Sequence, residues 1–282
     1  MPQPGLLHLP ADAIVDCVAD MHLQRSHSAT WAAFAHYLQT TPASHILLLG
    51  DVFEVWVGDD ALQEPGSFEA EVARQLRAIT SGGENGAPAK ALYLMHGNRD
   101  FLIGPAFAQA SGVQLLADPT VLHIDAPPAS APSAAAPARW LLSHGDALCT
   151  DDLPYQHFRA MSRQSAWQQP FLAQPLAARR AFAASIRSES EQRKAGQSLD
   201  SYVDLNADAT RAWLRASGCA TLIHGHTHQP GTHDLGEGLQ RIVLSDWDLH
   251  AHPPRAQVLR IAGGQCQRIA LASKPVHKTA PG

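Results

Sequence analysis

The chain has little of what several common protein classes need. Its four cysteines, Cys17, Cys149, Cys219 and Cys266, are scattered over 282 residues and form no CxxC. Neither a disulfide framework nor a zinc ribbon is indicated, and a reducing compartment suits such a set. Positive charge is also scarce: 21 Lys and Arg stand against 26 Asp and Glu, a net charge of −5. A general nucleic-acid binder needs excess cations to neutralise phosphates, so that class is disfavoured. No apolar run approaches the ~20 residues of a membrane-spanning helix. The opening stretch MPQPGLLHLPADAIVD has no Lys or Arg, the first being Arg25, and no long apolar core. No signal peptide is expected, and the protein reads as cytosolic, at most resting on a membrane surface. There is no GxSxG elbow and no P-loop.

What remains is an ordinary folded composition, 45% hydrophobic and 17% charged, in a chain long enough for one large or two small domains. Short apolar runs each end in a polar cluster. AIVDCVAD (13–20) ends on Asp20, HILLLGD (45–51) on Asp51 and ALYLMHGN (91–98) on Asn98. RWLLSHGD (139–146) carries His144, and CATLIHGH (219–226) carries the histidines of LIHGHTHQP. Runs this short with flanking glycine read as buried strands. Residues 27–40 and 67–80 have helical spacing of apolar positions. Strand–helix alternation predicts an α/β sheet, whose ligands sit beyond the carboxyl ends of the strands. All five clusters fall at that edge. Strands near 240–245, 257–262 and 267–271 complete the sheet, and the tail SKPVHKTAPG is expected to be loose.

Two stretches interrupt this pattern. Residues 126–137 are a Pro/Ala-rich loop with no chemistry assigned. Residues 151–217 are mostly helical and lie between two strand-end clusters. They are expected to form an inserted cap on a core made of 1–150 and 218–282. Within the cap, residues 159–194 hold seven Arg and Lys against two Glu. Such a local excess on an acidic chain suggests an anionic ligand or membrane surface.

The strand-end groups are Asp20 and His22 of DMH, Asp51, Asn98, His144, and His226 with His228 of HGHTH. Alternate positions on an extended backbone point the same way, so His226 and His228 can reach one place together. Two carboxylates, one amide and four imidazoles are too many for one metal. They suit two metals bridged by a carboxylate, the clamp that serves phosphoester hydrolysis with ions about 3.5–4 Å apart. Mixed nitrogen and oxygen donors favour Mn, Fe or Zn over Mg or Ca. His96 and His224 read as packed or supporting histidines. A Ser143-His144-Asp146 triad is disfavoured because those residues are too close in sequence.

The order DxH, GD, GN, H, GHxH resembles the calcineurin-like metallophosphoesterases, over residues 13 to about 250. That resemblance implies a four-layer α/β/β/α sandwich with an inserted helical lid. It further implies that Asp20, His22, Asp51 and His228 hold one metal and Asp51, Asn98, His144 and His226 the other, with Asp51 as the bridge. The family commonly writes GNH where this chain has GNR. Arg99 cannot act as a general acid, since its pKa exceeds ~12. A leaving group that is itself a phosphate needs no such acid, so the residue favours a pyrophosphate substrate.

HGNRDFLIG, SHGDALCTDD, GDVFEVWVGDD and IHGHTHQP look like one branch, the hydrolases of UDP-2,3-diacylglucosamine in lipid A biosynthesis. The resemblance implies two Mn²⁺, water attack on the nucleotide's α-phosphorus, and UMP with 2,3-diacylglucosamine 1-phosphate as products. It also implies a peripheral position on the cytoplasmic face of the bacterial inner membrane, with no obligate protein partner. Substrate contacts carried over are Asn98, Arg99, Asp152, Arg187, Ser190, Lys194 and His226; Asn98, Arg99 and Asp51 are the catalytic set. The branch tends to place Asn and Lys where this chain has Lys194 and Gln197, which departs from the pattern. Trp167, Phe171, Leu172, Phe182 and Ile186 either line an acyl chamber or only hold the lid together. The competing readings are a metallophosphoesterase acting on another nucleotide diphosphate or a simple diester, and a non-catalytic scaffold on the same fold.

Overall fold

The computed structural model describes residues 1–82, 86–126, 138–195 and 203–271. The Pro/Ala-rich loop from residue 127 on and the tail from residue 272 on lie outside that set. Two six-stranded sheets face each other. One runs in the order β1 (Gly5–Leu9), β6 (Thr120–Ile124), β7 (Ala138–Ser143), β8 (Thr221–His224), β10 (Leu239–Val243), β9 (Gly231–Gly236). The other runs β12 (Gln265–Ala270), β11 (Gln257–Ala262), β2 (Val15–Val18), β3 (His45–Leu49), β4 (Ala91–Met95), β5 (Gln114–Leu116).

Strands β2, β3 and β4 are parallel neighbours, as are β7 and β8. Four of these five are buried along their whole length or all but the first residue, the signature of strands covered on both faces. Residues of Val15, Leu47, Leu122, Leu142 and Ile223 type fill the space between the sheets. On the outer side of the second sheet, α1 (Ser28–Thr40), α2 (Phe68–Thr80) and α3 (Pro105–Ser111) bury Phe34, Leu76 and Phe107 against Ile46 and Leu94. On the outer side of the first, α7 (Ala207–Ser217) buries Trp213 and Leu214 against Val121, Leu141 and Leu222. The result is an α/β/β/α sandwich.

Two of the sandwich helices start where the sequence supplies a side-chain cap. The Ser67 hydroxyl accepts the Ala70 N–H at the head of α2, and the Asn206 side chain accepts the Ala209 N–H at the head of α7. Gly218 ends α7 in the left-handed conformation. Helices α4 (Leu153–Ser162), α5 (Ser165–Leu172) and α6 (Leu176–Ala195) follow β7. α7 falls inside the stretch 151–217 expected to form the cap, but it packs on the sheet as the sandwich's outer layer. Its apolar positions are segregated to one face more sharply than those of α5 and α6. Among the described residues, no helix is long and apolar enough to cross a membrane.

Asp16 on β2 anchors the second sheet to α1. Its buried carboxylate accepts hydrogen bonds from Tyr37 (2.8 Å), Thr41 (2.7 Å) and both arms of Arg260 on β11 (2.7 and 2.8 Å). Removing the acid leaves a part-buried guanidinium and two hydroxyls without it. Asp16→Ala is expected to cost about 3–5 kcal/mol in urea unfolding, whereas a loss under 1 kcal/mol would show that the network contributes little.

Candidate metal centre

The sequence places one or two chemical groups just past each of five strands, and the two sheets bring those strand ends together. Asp20 and His22 follow β2, Asp51 follows β3 and Asn98 follows β4. His144 follows β7, while His226 and His228 follow β8. The ligand atoms of Asp20, His22 and His228 lie within 4.8 Å of one another, and so do those of Asp20, Asp51 and His144. Asn98 joins the second group: its Oδ1 is 3.0 Å from His144 Nε2 and 2.9 Å from His226 Nδ1. Asp51 stands between the groups, 3.9 Å from His22 Nε2 through one oxygen and 3.7 Å from His144 Nε2 through the other. All seven groups singled out in the sequence therefore converge.

Local backbone geometry is bent to achieve this. Six non-glycine residues among those described have positive φ, and five are Asp20, His22, Asp51, His226 and His228. Such conformations cost about 1–3 kcal/mol each and gather where function requires a side chain to be re-aimed. The glycines of GN and GH have a second reason to be there. A Cβ at Gly97 would collide with the Asp51 carboxylate, and one at Gly225 with the Asp20 carboxylate.

The donor set fits divalent cations on direct grounds. Nδ1 of His144 donates to the Leu49 carbonyl oxygen at 2.9 Å, so the neutral ring presents a lone pair at Nε2. That lone pair faces the Asn98 oxygen, and two acceptors meet unless His144 takes a second proton or a cation lies between. Likewise His22 Nε2 and His228 Nε2 face each other at 3.3 Å. Without a cation, burial opposes charge on His144, but the Asp51, Asp20 and Asp146 carboxylates overcome it and push its pKa up to about 9. Burial raises Asp51 above the ordinary carboxylate range despite nearby imidazoles. Asp20 is held below it: burial opposes, but the His228 hydrogen bond and three imidazoles prevail. Burial and its imidazole neighbours push His226 down to about 3. The pocket lacks positive charge, and metal ions supply it.

Several supporting residues went unnoticed in the sequence. Glu54, buried in the GDVFE loop, places one oxygen 3.3 Å from His22 Nδ1 and the other 2.8 Å from Arg99 and 2.5 Å from Arg187. A carboxylate behind a histidine fixes its ring and raises its basicity as a ligand. Asp100 ties the loop after β4 to the loop after β3, accepting the N–H groups of Gly97 (2.8 Å) and Val52 (2.7 Å). Asp146 bonds Tyr155 and Arg159 of α4, and Tyr155 lies over His226 at 6.3 Å between ring centroids. An acidic residue two or three positions past Asp51, Asn98 and His144 was the available signal.

Arg99 sits beside the cluster, its N–H donating to Asp51 at 2.8 Å. The Asp152 side chain caps α4, accepting the Tyr155 N–H at 3.1 Å. Arg187 is brought to the site through Glu54. Ser190 and Lys194 belong to the end of α6, where side chains lie outside the described residues, as does Gln197. His96 donates to the Ile103 carbonyl oxygen, and the buried His224 turns its Nδ1 to the Gly225 carbonyl oxygen, so neither ring joins the cluster.

The basic excess of the cap has a structural partner in the core. Arg159 and Arg163 face Asp146, Arg179 faces Asp60, Arg180 faces Glu64 and Arg187 faces Glu54. Every described arginine of the stretch 159–194 is thus paired with an acid outside it. The apolar cap residues also pack among themselves: Trp167 stacks on Phe171 (4.7 Å), Phe171 meets Phe182 edge-on (5.5 Å), and Phe171 is buried. Leu172 and Phe182 keep 39% and 40% of their surface exposed.

Residues 14–230 match the family model of the calcineurin-like phosphoesterases. The chain is 41% identical over 256 residues to the UDP-2,3-diacylglucosamine hydrolase of Bordetella pertussis, covering 88% of this chain and 92% of that protein. It is 39% identical over 258 residues to the UDP-2,3-diacylglucosamine hydrolase of Chromobacterium violaceum, covering 91% and 98%.

Two outcomes follow from this electrostatic arrangement. In metal-stripped protein the fold holds a proton on His144 up to about pH 9, while the unfolded chain releases it near 6.5. That contribution is complete below about pH 6.5 and lost as pH rises through 9. His226 and His224, lowered to about 3 and 4, act in the opposite sense: below about 6.5 the unfolded chain takes up protons that the fold refuses. The melting temperature of stripped protein should therefore peak near neutrality, and His144→Gln should flatten the alkaline side; an unchanged alkaline fall would contradict the assignment. Glu54→Gln is expected to weaken metal retention about 10–100-fold, read by elemental analysis after dialysis, and full retention would remove Glu54 from that role.

Proposed function

Because the chain belongs to the calcineurin-like phosphoesterases, in the family of the UDP-2,3-diacylglucosamine hydrolases, we propose that it hydrolyses the pyrophosphate bond of UDP-2,3-diacylglucosamine. The observation that carries this reading is the convergence of all seven donors beside Arg99, in a chain about two-fifths identical to those hydrolases over most of its length. Water forms a bond to the nucleotide's α-phosphorus and the bond to the bridging oxygen breaks. UMP and 2,3-diacylglucosamine 1-phosphate separate. The sugar phosphate leaves as an anion, so no acid is required at position 99.

Two Mn²⁺ are the cofactors in this reading, held by Asp20, His22, Asp51 and His228 on one side and Asp51, Asn98, His144 and His226 on the other. Bound there, the ions supply Lewis-acid polarisation of the phosphate and a lowered pKa for water. Asp51 spans the two groups. Asn98 and Arg99 bind the phosphates, with Arg99 offering a fixed fork of donors that matches phosphoryl oxygens. Glu54 holds Arg99 and, with it, Arg187 of α6. Two arginines on one oxygen of that carboxylate place positive charge where a diphosphate carries negative charge.

Helices α4 to α6 act as the lid over this site. Leu172 and Phe182, partly exposed on the lid, give the acyl chains an apolar surface, while Trp167 and Phe171 serve to hold the lid's helices. The enzyme works at the cytoplasmic face of the inner membrane, where its acylated substrate resides. Ser190 and Lys194 at the end of α6, with Asp152 at the head of α4, contact the head group.

The decisive assay is turnover of UDP-2,3-diacylglucosamine in ¹⁸O-labelled water with added Mn²⁺. Label is expected in UMP, and Asp51→Ala is expected to abolish turnover. Cleavage of simple diesters or unacylated UDP-sugars in place of the acylated substrate would retain the phosphoesterase and reject the substrate. Arg99→Ala is expected to lower kcat/KM by about 10²-fold, as one lost electrostatic contact to the reacting phosphoryl group; an unchanged value would remove Arg99 from the mechanism.

A further inference from the structure

The first sheet carries a second group of metal-ligating side chains, on a different strand pair from the site above. His8 on β1 and His123 on β6 are register partners across a parallel ladder, with ring centroids 4.7 Å apart. Both point away from the core between the sheets, because Leu7 and Leu9, and Leu122 and Ile124, fill that core. Asp125 follows β6 and joins them: its Oδ1 is 2.6 Å from His8 Nε2 and 3.9 Å from His123 Nε2. One ligand atom from each of the three lies within 4.8 Å of the others.

We propose that His8, His123 and Asp125 bind one divalent transition-metal cation of the nickel, copper or zinc type. Two ligands at about 2.0–2.1 Å from a tetrahedral ion stand roughly 3.3 Å apart, and the distances here bracket that value. Modest turns of the exposed His8 and Asp125 and the part-buried His123 bring all three into place. Two imidazoles with a single carboxylate select these metals over Mg²⁺ and Ca²⁺, which require oxygen ligands. Solvent exposure leaves the remaining positions to water.

The location gives such an ion a consequence. Among the described residues, β1 is the edge strand of its sheet and pairs only with β6. His8 and Asp125 are 117 positions apart in sequence, so one ion clips the N-terminal edge to the body of the sheet. Binding to the folded form alone raises stability in proportion to ion concentration. None of this depends on the reaction at the strand-end site.

The test uses the full chain in excess Mn²⁺, dialysed against low micromolar Ni²⁺ and counted by elemental analysis. Wild type is compared with His8→Asn, His123→Gln and Asp125→Asn. Wild type is expected to hold one more Ni²⁺ than each variant, with Ni²⁺ affinity at the site falling more than about tenfold on loss of either histidine. It should also gain a few degrees more in melting temperature on Ni²⁺ addition. Any Ni²⁺ exchanged into the strand-end site is common to all four proteins and cancels. Equal Ni²⁺ in wild type and all folded variants would overturn the proposal and leave His8 and Asp125 as an ion pair only. Dependence on one histidine but not the other would likewise overturn the three-ligand site.

Discussion

Two carboxylates, Asp20 and Asp51, are almost wholly removed from water at the junction of two sheets. Burying charge in this way is costly unless positive charge or hydrogen-bond donors face it. The surrounding fold answers with backbone N–H groups from His226 and Arg99 and with four imidazoles. These do not balance the site by themselves, as the proton held on His144 up to about 9 shows. Cations complete it, and much of the surrounding architecture serves to keep the donors in position for them.

That service is visible in the backbone. The parallel strands end together, and the chain then turns through left-handed conformations that ordinary residues avoid. The turns after β2 and β8 each aim two side chains inward. Glycines beside them let the Asp20 and Asp51 carboxylates approach the neighbouring main chain more closely than any Cβ permits. Behind the donors, Glu54, Asp100 and Leu49 orient rings and loops. The strain gathers at the site, and the well-packed sheets on either side hold it there.

The strand runs, their polar ends and the two early helices were legible because buried parallel strands read as continuous apolar stretches. The donors were legible because each falls at a strand's carboxyl end, and all but Asp20 and His22 stand in a glycine-marked turn. Other elements were hidden for definite reasons. β1 and β6 carry His8 and His123 on their outward faces, which breaks their apolar runs, and β5 is only three residues long. α7 follows α4, α5 and α6 with no strand between, so its packing on the sheet emerges only in three dimensions. Glu54 and Asp146 were missed because their roles depend on partners that only the fold assembles: His22, Arg99 and Arg187 around Glu54, Tyr155 and Arg159 around Asp146. Those pairings also account for the described arginines of the basic cap, whose excess is a local count balanced by acids elsewhere in the chain.

In the proposed reading, seven donors from five strand ends hold two ions with Asp51 between them. Anomalous X-ray scattering from crystals of the Mn²⁺-loaded protein tests it directly. Two peaks about 3.5–4 Å apart, with Asp51 bridging them, are the expected result. A single peak, or ions bound away from Asp51, would contradict the account.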